Sequence, residues 1–146
     1  MQLTIKDYEK ALMIAKEAHK GQKRWNGDEY ITHPIRIASK MENWRLKIIA
    51  VLHDVLEDTN ISLNDLKMFP KEITIPLQLL THNKNQSYAD YIRGFKWFVD
   101  AGSRYNQYAA KVKMADLEDN LKDLTQQQRI DKYELALLYL KENFKR

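Results

Sequence analysis

Apolar residues recur at intervals of three and four along most of the chain, which is the spacing of amphipathic α-helices. The first such segment follows Thr4 and Asp7, a pair spaced like a capping box, and it predicts a helix that ends near His19. Residues 21–32 are polar and include an Asn-Gly pair, so they are predicted to form a loop.

The helical spacing continues beyond this loop. Only four glycines and three prolines punctuate the chain, which favours long helices over many short strands. Further helices are predicted to start at His33-Pro34, to carry the apolar run 48–52 with the acidic residues behind it, and to cover 62–69, 72–82, 87–100, 105–124 and 127 to near the C-terminus. An interruption or kink is expected at Pro76. The pattern predicts an all-α fold in which residues 1–146 form a single compact helical bundle.

The charged residues narrow the classes of partner. The formal net charge is +4, but the 24 basic and 20 acidic residues are interspersed, which favours a mixed solvated surface and no nucleic-acid partner. A basic rim that attracts a polyanionic small molecule stays open as an alternative. Its candidate residues are Lys20, Lys23, Arg24, Lys111, Lys113 and Lys122.

Composition also bears on the cellular compartment. The chain has no cysteine, which excludes disulfides, a nucleophilic thiol and thiolate metal ligands. Its first residues lack the pattern of a signal peptide, and no apolar stretch approaches the roughly 18 residues of a membrane span. The chain is therefore predicted to be cytoplasmic, without a membrane partner, and its oligomeric state is left open.

An acidic stretch at 53–58 directly follows the apolar run 48–52, which is expected to be buried. If the stretch is helical, His53 and Glu57 lie one turn apart, and so do Asp54 and Asp58. Like charges at that spacing destabilise a helix, and buried carboxylates without a partner tend to become neutral. A divalent cation would keep them ionised. The stretch therefore predicts a cation site.

Two more candidate ligands lie at the ends of predicted buried segments. His33 opens the second helix, and Asp116 follows a mainly apolar stretch in a late helix, with Asn120 one turn further on the same face. With His53 and Asp54 they would form a set of two nitrogen and two oxygen ligands with open positions. Such a set suits manganese, iron or zinc, which the residues alone do not rank.

The order of these residues, His, then His-Asp, then Asp, resembles the HD-domain metallophosphohydrolases. The resemblance is closer to their alarmone branch, the RelA/SpoT-type hydrolase domains and small stand-alone relatives, which remove the 3′-diphosphate from ppGpp. The matching segments are 18–24, 30–34, 52–59 and 112–116 with Asn120, in the family order and spanning about residues 8 to 124.

The resemblance implies a role for each matching position. The metal ligands would be His33, His53, Asp54 and Asp116, with Mn²⁺ the usual ion. Glu57 and Asp58 match the catalytic acidic pair that positions or deprotonates the attacking water. Arg24 matches a residue that packs on the guanine base, and Asn120 matches one that contacts the nucleotide. The large family members continue into a synthetase domain, so alarmone synthesis is not expected from these 146 residues.

The chain departs from the family pattern around the substrate rather than around the metal. Trp25 stands where the larger hydrolases usually have lysine, and it could still stack on a base. Residues 116–120 read Asp-Leu-Glu-Asp-Asn instead of Asp-Arg-Leu-His-Asn. Lys122 occupies the position of an expected arginine, and Asp123 replaces a nearby hydroxyl. Trp25 and Lys122 are thus candidate substrate contacts, although the identity of the ester is less well supported than the phosphoester chemistry.

We therefore predict metal-dependent hydrolysis of a phosphorylated nucleotide, with the cation activating a water molecule and polarising a phosphoryl oxygen. Two alternatives stay open. One is a nucleotidase or phosphatase of the same superfamily that acts on another nucleotide. The other is a catalytically silent module that binds nucleotide or protein. His19 and His82 are interpreted as structural histidines, and Tyr88, Tyr91, Trp97 and Phe98 as core residues rather than a ligand-binding cluster.

Overall fold

Helices make up the regular structure in residues 2–97 and 104–144, which are the residues that the computed structural model describes. In chain order they are α1 (Ile5–Ala18), α2 (Thr32–Ser39), α3 (Trp44–Leu52), α4 (Val55–Asp58), a 3₁₀ turn (Leu63–Leu66), α5 (Lys71–Leu80), α6 (Tyr88–Trp97), α7 (Tyr105–Asp123) and α8 (Gln127–Asn143). The β structure in these residues is one isolated bridge between Lys23 and Glu29. The predicted all-α class is confirmed.

The centre of the bundle is α3, whose apolar residues face neighbours on all sides. Its residues 48–52 are completely buried, and α1, α2, α5 and α7 all pack against it. A helix surrounded in this way must be apolar all round. The chain that leaves α3 at Leu52 therefore emerges from the middle of the core.

Side-chain caps begin several of these helices where the sequence predicts. The Asp7 carboxylate accepts a hydrogen bond from the backbone N–H of Thr4 at 2.8 Å, before the first turn of α1. Ser62 and Asp65 satisfy each other's backbone N–H groups at the 3₁₀ turn, at 2.8 and 3.3 Å. These contacts pair donors that would otherwise lack an intrahelical partner.

One local prediction is wrong and another is wrong in part. Helix α5 runs through Pro76, so the expected interruption does not occur. The acidic stretch is not part of one continuous helix, because α3 ends at Leu52 and a turn at His53 and Asp54 precedes α4. The imidazole Nδ1 of His53 donates to the carbonyl of Ala50 at 2.7 Å. This side-chain contact occupies a carbonyl at the end of α3, so the helical hydrogen bonding is broken at the turn that carries two candidate ligands.

The predicted helix 87–100 corresponds to α6, and Phe98 in its last part lies outside the described residues. Trp97, expected in the core, is instead 60% exposed. The predicted helix 105–124 corresponds closely to α7, and the last one to α8. Among the helices described, none is both long and apolar enough to cross a bilayer.

Candidate metal centre

Four side chains from three parts of the fold meet at the end of α3. His33 lies in the first turn of α2, His53 and Asp54 form the turn between α3 and α4, and Asp116 lies in the second half of α7. Ligand atoms of His33, His53 and Asp54 all lie within 4.8 Å of one another, so this group could hold a metal ion.

The fourth predicted ligand lies directly beside this group. The Oδ1 atom of Asp116 is 2.8 Å from Nε2 of His33 and 3.4 Å from Nε2 of His53. On the other side, Nε2 of His53 is 3.0 Å from Oδ2 of Asp54. The structure thus brings together all four residues that the sequence singles out as ligands.

The hydrogen bonding of the His53 ring indicates whether these four side chains could bind a cation. Its Nδ1 donates to the carbonyl of Ala50 at 2.7 Å, which leaves Nε2 with the lone pair in the neutral ring. Nε2 is buried and has no hydrogen-bond partner among residues 2–97 and 104–144. A buried nitrogen that points at carboxylates, with its other nitrogen held by a backbone carbonyl, is the usual arrangement of a metal-binding imidazole. The residues present therefore fit a metal ion.

The charge of Asp116 is balanced by a partly buried lysine. The Nζ atom of Lys113 donates to Oδ2 of Asp116 at 2.9 Å. Burial alone would raise the pKa of Asp116, but the neighbouring positive charge of Lys113 opposes it, and that pKa lies well below its usual value. Asp116 is therefore ionised, as a metal ligand must be.

Tyr30 is a member of the cluster that the sequence analysis did not single out. Its hydroxyl donates to Oδ2 of Asp54, and its ring packs on His19 with 4.8 Å between the ring centroids. Burial, together with the negative charge of Asp54, raises the pKa of Tyr30, so the hydroxyl stays protonated and donates. Nδ1 of His19 lies 2.8 Å from Oε1 of Gln22, in agreement with its structural interpretation.

The acidic pair Glu57 and Asp58 lies at the exposed rim of the cluster, on α4. Oε1 of Glu57 accepts from the backbone N–H of His82 at 2.7 Å, and the backbone carbonyl of Asp58 accepts from Nε2 of Gln22 at 2.9 Å. Neighbouring groups partly bury the Asp58 carboxyl, and this burial with the charges of Asp54 and Glu57 raises its pKa to about 6. The rim is thus crowded with negative charge, which a cation would offset.

Two predicted substrate contacts connect directly to the cluster. Arg24 is 4% exposed, and its Nη2 donates to Oδ1 of Asn120 at 3.3 Å. Nδ2 of Asn120 in turn donates to Oδ1 of Asp116 at 3.2 Å. Nη2 of Arg24 also lies 3.7 Å from Oδ2 of Asp123, the residue that departs from the family pattern.

The other two predicted substrate contacts are more exposed. Trp25 is 50% exposed, and the guanidinium carbon of Arg24 lies 4.7 Å from its ring centroid. Lys122 is exposed and lies close enough to Lys40 to lower the pKa of that lysine, after the effect of burial. This position is on a different face of α7 from Asp116 and Asn120, so the structure does not bring Lys122 to the cluster.

Asp119 and Arg36 also belong to the site, although the sequence analysis assigned them no role. Oδ2 of Asp119 accepts from Nδ1 of His33 at 2.7 Å. Arg36 donates to both oxygens of the same carboxylate, from Nε at 3.0 Å and from Nη2 at 2.9 Å. Spacing could have indicated both residues, since Asp119 follows Asp116 by three positions and Arg36 follows His33 by three.

Several curated proteins similar in sequence to this chain have names that refer to the synthesis or hydrolysis of ppGpp. The bifunctional (p)ppGpp synthase/hydrolase SpoT of Escherichia coli K12 is 38% identical over 74 residues, which cover 47% of this chain and 10% of that protein. The guanosine-3′,5′-bis(diphosphate) 3′-pyrophosphohydrolase of Spiroplasma citri is 33% identical over 133 residues, which cover 83% of this chain and 17% of that protein. The chain therefore spans a small part of these relatives. No family model matches it.

A solved structure shares the whole fold. It is described as a metazoan ortholog of SpoT that hydrolyzes ppGpp and plays a role in starvation responses. The two structures agree with a TM-score of 0.75 over 99% of this chain and 89% of the other, at 24% sequence identity. At this identity the match establishes the common fold, and the expected all-α arrangement is confirmed by it.

Proposed function

Since the chain belongs to the RelA/SpoT-like HD-domain hydrolases, we propose that it removes the 3′-diphosphate from ppGpp. The reaction consumes one water molecule, breaks the bond between the 3′ oxygen and the diphosphate, and yields GDP and pyrophosphate. The observation that carries this proposal is the convergence of His33, His53, Asp54 and Asp116 at the end of α3. Residues 1–146 act as one hydrolase domain in this proposal, and the predicted cytoplasmic location is kept.

The four converging side chains would hold a divalent ion, for which Mn²⁺ is proposed. When bound, such an ion supplies Lewis-acid activation of a water molecule and of a phosphoryl oxygen. The chain contributes the rigid placement of its ligands. Three contacts fix them before any ion arrives: Nδ1 of His53 on Ala50 at 2.7 Å, Nδ1 of His33 on Asp119 at 2.7 Å and Nζ of Lys113 on Asp116 at 2.9 Å.

Glu57 and Asp58 would orient the attacking water and accept its proton. Both lie at the rim, one turn beyond the ligand turn, where a substrate can reach them from solvent. Their positions are held by contacts from other parts of the chain, at the backbone of His82 and at Gln22. Asp58 is the better candidate for the proton acceptor, because the carboxylate of Glu57 already accepts a hydrogen bond.

Arg24, Trp25 and Asn120 would form the nucleotide side of the site. Trp25 offers an exposed indole face on which a purine base can stack. The guanidinium of Arg24 supports the opposite side of that indole, and Asn120 joins Arg24 to the ligand Asp116. Lys122 has no part in this proposal, because it lies beside Lys40.

A second candidate function is hydrolysis of another nucleotide phosphoester by the same metal centre. The observation that favours it is the engagement of Arg24, which is buried and lies close to both Asn120 and Asp123. A guanidinium held in this way is less free to pack on a guanine base. Phosphoester chemistry is common to both candidates, so the substrate distinguishes them.

The test is incubation of the Mn²⁺-loaded protein with ppGpp, followed by anion-exchange chromatography of the products. Appearance of GDP and pyrophosphate in equal amounts supports the alarmone reaction. Absence of turnover, with Mn²⁺ shown to be bound, favours the second candidate, and a panel of nucleoside 3′- and 5′-phosphates then identifies the ester. Absence of both metal and turnover would contradict the enzymatic proposal and favour a silent binding module.

A further inference from the structure

Asp119 is a buried carboxylate whose charge is matched by neighbours on another helix. It is 1% exposed and lies on α7, three residues after the ligand Asp116. Its partners His33 and Arg36 both lie on α2, so a single carboxylate joins two helices that supply metal ligands. A buried charge is tolerated when it is paired and hydrogen-bonded.

The contact with His33 determines which of its nitrogens can bind a cation. The Asp119 carboxylate, which accepts two hydrogen bonds from Arg36, also accepts from His33, so Nδ1 of His33, at 2.7 Å from Oδ2, is the donor and carries the proton. In the neutral ring the lone pair is then on Nε2, the nitrogen that faces Asp116 and His53. The same contact holds the ring plane. Such outer partners of metal-bound histidines commonly strengthen metal affinity by about 10- to 100-fold.

Arg36 holds the carboxylate of Asp119, and that carboxylate in turn orients the ring of His33. Its Nε and Nη2 atoms donate to Oδ1 and Oδ2 of Asp119 at 3.0 and 2.9 Å, a two-pronged contact that sets the carboxylate plane. The Arg36 side chain is 39% exposed, so its charge is solvated at one end and paired at the other. Arg36 contacts no proposed ligand directly in the described structure, and it can act on the metal only through Asp119.

Asp119 also faces the nucleotide side of the site. Nη2 of Arg24 lies 3.9 Å from Oδ2 of Asp119, and both side chains are almost completely buried. The carboxylate therefore lies between His33, on the metal side, and Arg24, on the substrate side.

This inference rests on the proposed metal site. We infer that Asp119, held by Arg36, is a positioning residue that directs Nε2 of His33 towards the cation. It also holds the guanidinium of Arg24 at a fixed position relative to the metal site. Asp119 touches neither the metal nor the reacting atoms. Its removal therefore lowers metal affinity and raises KM through Arg24, whereas saturating metal restores most of kcat.

The experiment measures Mn²⁺ affinity by isothermal titration calorimetry, with no nucleotide present, for the wild-type chain and five variants. Asp119→Ala is expected to weaken Mn²⁺ binding by about 10- to 100-fold. Asp119→Asn and Arg36→Ala are expected to weaken it by smaller factors, since each keeps part of the contact chain. The matched control is Arg45→Ala. Nε of Arg45 donates to Glu72 at 2.7 Å, and at 36% exposure its side chain resembles that of Arg36, but it lies away from the cluster.

The double variant Arg36→Ala/Asp119→Ala should bind Mn²⁺ no more weakly than Asp119→Ala alone, because Arg36 acts through Asp119. At saturating Mn²⁺, Asp119→Ala should keep kcat within a few-fold of wild type with a raised KM. Thermal unfolding checks that each variant is folded, and Asp119→Asn with Arg36→Ala decides the matter if Asp119→Ala does not fold.

The inference is overturned if the folded variants bind Mn²⁺ as tightly as wild type and lose only thermal stability, since Asp119 would then be a structural ion pair. It is also overturned if kcat stays low at saturating Mn²⁺. A wild-type chain that binds no Mn²⁺ would instead contradict the proposed function itself, so the two failures are distinguishable.

Discussion

The metal side and the nucleotide side of the site are built in different ways. On the metal side, each of the two histidines has its Nδ1 committed to an oxygen, one to Ala50 and one to Asp119, at 2.7 Å in both cases. These residues lie at the ends of helices that pack in the core. On the nucleotide side, Trp25 lies in the loop between α1 and α2 and is half exposed.

This difference indicates which residues of the site can be substituted at small cost and which cannot. A ligand at the end of a buried helix is placed by the same packing that stabilises the fold, so its position is determined even without an ion. An exposed loop residue is placed by few contacts, and its identity can change at small cost. The departures from the family pattern fall mainly on the nucleotide side, in agreement with this division.

Asp54→Ala removes a proposed ligand that also accepts a hydrogen bond from the Tyr30 hydroxyl. Turnover should fall by about 1,000-fold or more, because the ion supplies the activation of water and of the phosphoryl oxygen. Metal content after dialysis, measured by mass spectrometry, should fall together with the turnover number. Asp90→Ala is the control, since Asp90 is an exposed partner of Arg93 on α6. Full metal content in Asp54→Ala would show that Asp54 is not a metal ligand.

Asp58→Asn separates proton transfer from metal binding. The amide keeps the shape of the side chain but cannot accept a proton, so kcat should fall by about 100- to 10,000-fold while Mn²⁺ affinity is retained. Steady-state kinetics and calorimetry on the same preparation measure both quantities. Glu57→Gln provides the comparison, because its amide oxygen can still accept from the backbone of His82. An unchanged kcat in Asp58→Asn would show that another group accepts the proton from the attacking water.

The sequence alone predicted the helices well because their apolar spacing is a local property. It also predicted the four residues that meet at the end of α3, since the resemblance and the chemistry of the residue types agreed. The break at His53 and Asp54 was missed. It depends on a hydrogen bond between the His53 ring and the carbonyl of Ala50, a contact that helical periodicity does not encode.

Partners from distant parts of the chain were also missed, for a related reason. Asp119 appeared in the sequence only as a departure from a motif, and Arg36 as one more basic residue. Their roles arise because α2 packs on α7, which brings together residues separated by 83 positions. Lys122 is the converse case. Its place in the motif predicts a substrate contact, which stays a prediction, whereas in the structure it lies beside Lys40, on a different face of α7 from Asp116.

Lys113→Met tests how much the positive charge of Lys113 stabilises the Asp116 carboxylate before a metal ion binds. Lys113 is 14% exposed on its side chain and is paired with the buried carboxylate of Asp116. Removing one partner of a buried pair costs about 3 kcal/mol of unfolding free energy, because the remaining charge is left uncompensated. Urea unfolding should show this loss in the metal-free protein and a smaller loss with Mn²⁺ present, since the ion then neutralises Asp116. An equal loss in both conditions would mean that Asp116 does not share its charge with the ion.

Trp25→Ala should produce the smallest effect and decide whether the nucleotide side behaves as proposed. Loss of an exposed stacking partner costs about 1 kcal/mol, which corresponds to a rise of about fivefold in KM for ppGpp. Mn²⁺ affinity and kcat should not change, because Trp25 contacts the site through Arg24. Trp97→Ala is the matched control: this tryptophan is 60% exposed and lies 5.4 Å from the guanidinium of Arg93, on α6. A fall in kcat with unchanged KM would show that Trp25 serves the chemical step rather than binding of the base, and the division between the two sides of the site would then be less sharp than the structure suggests.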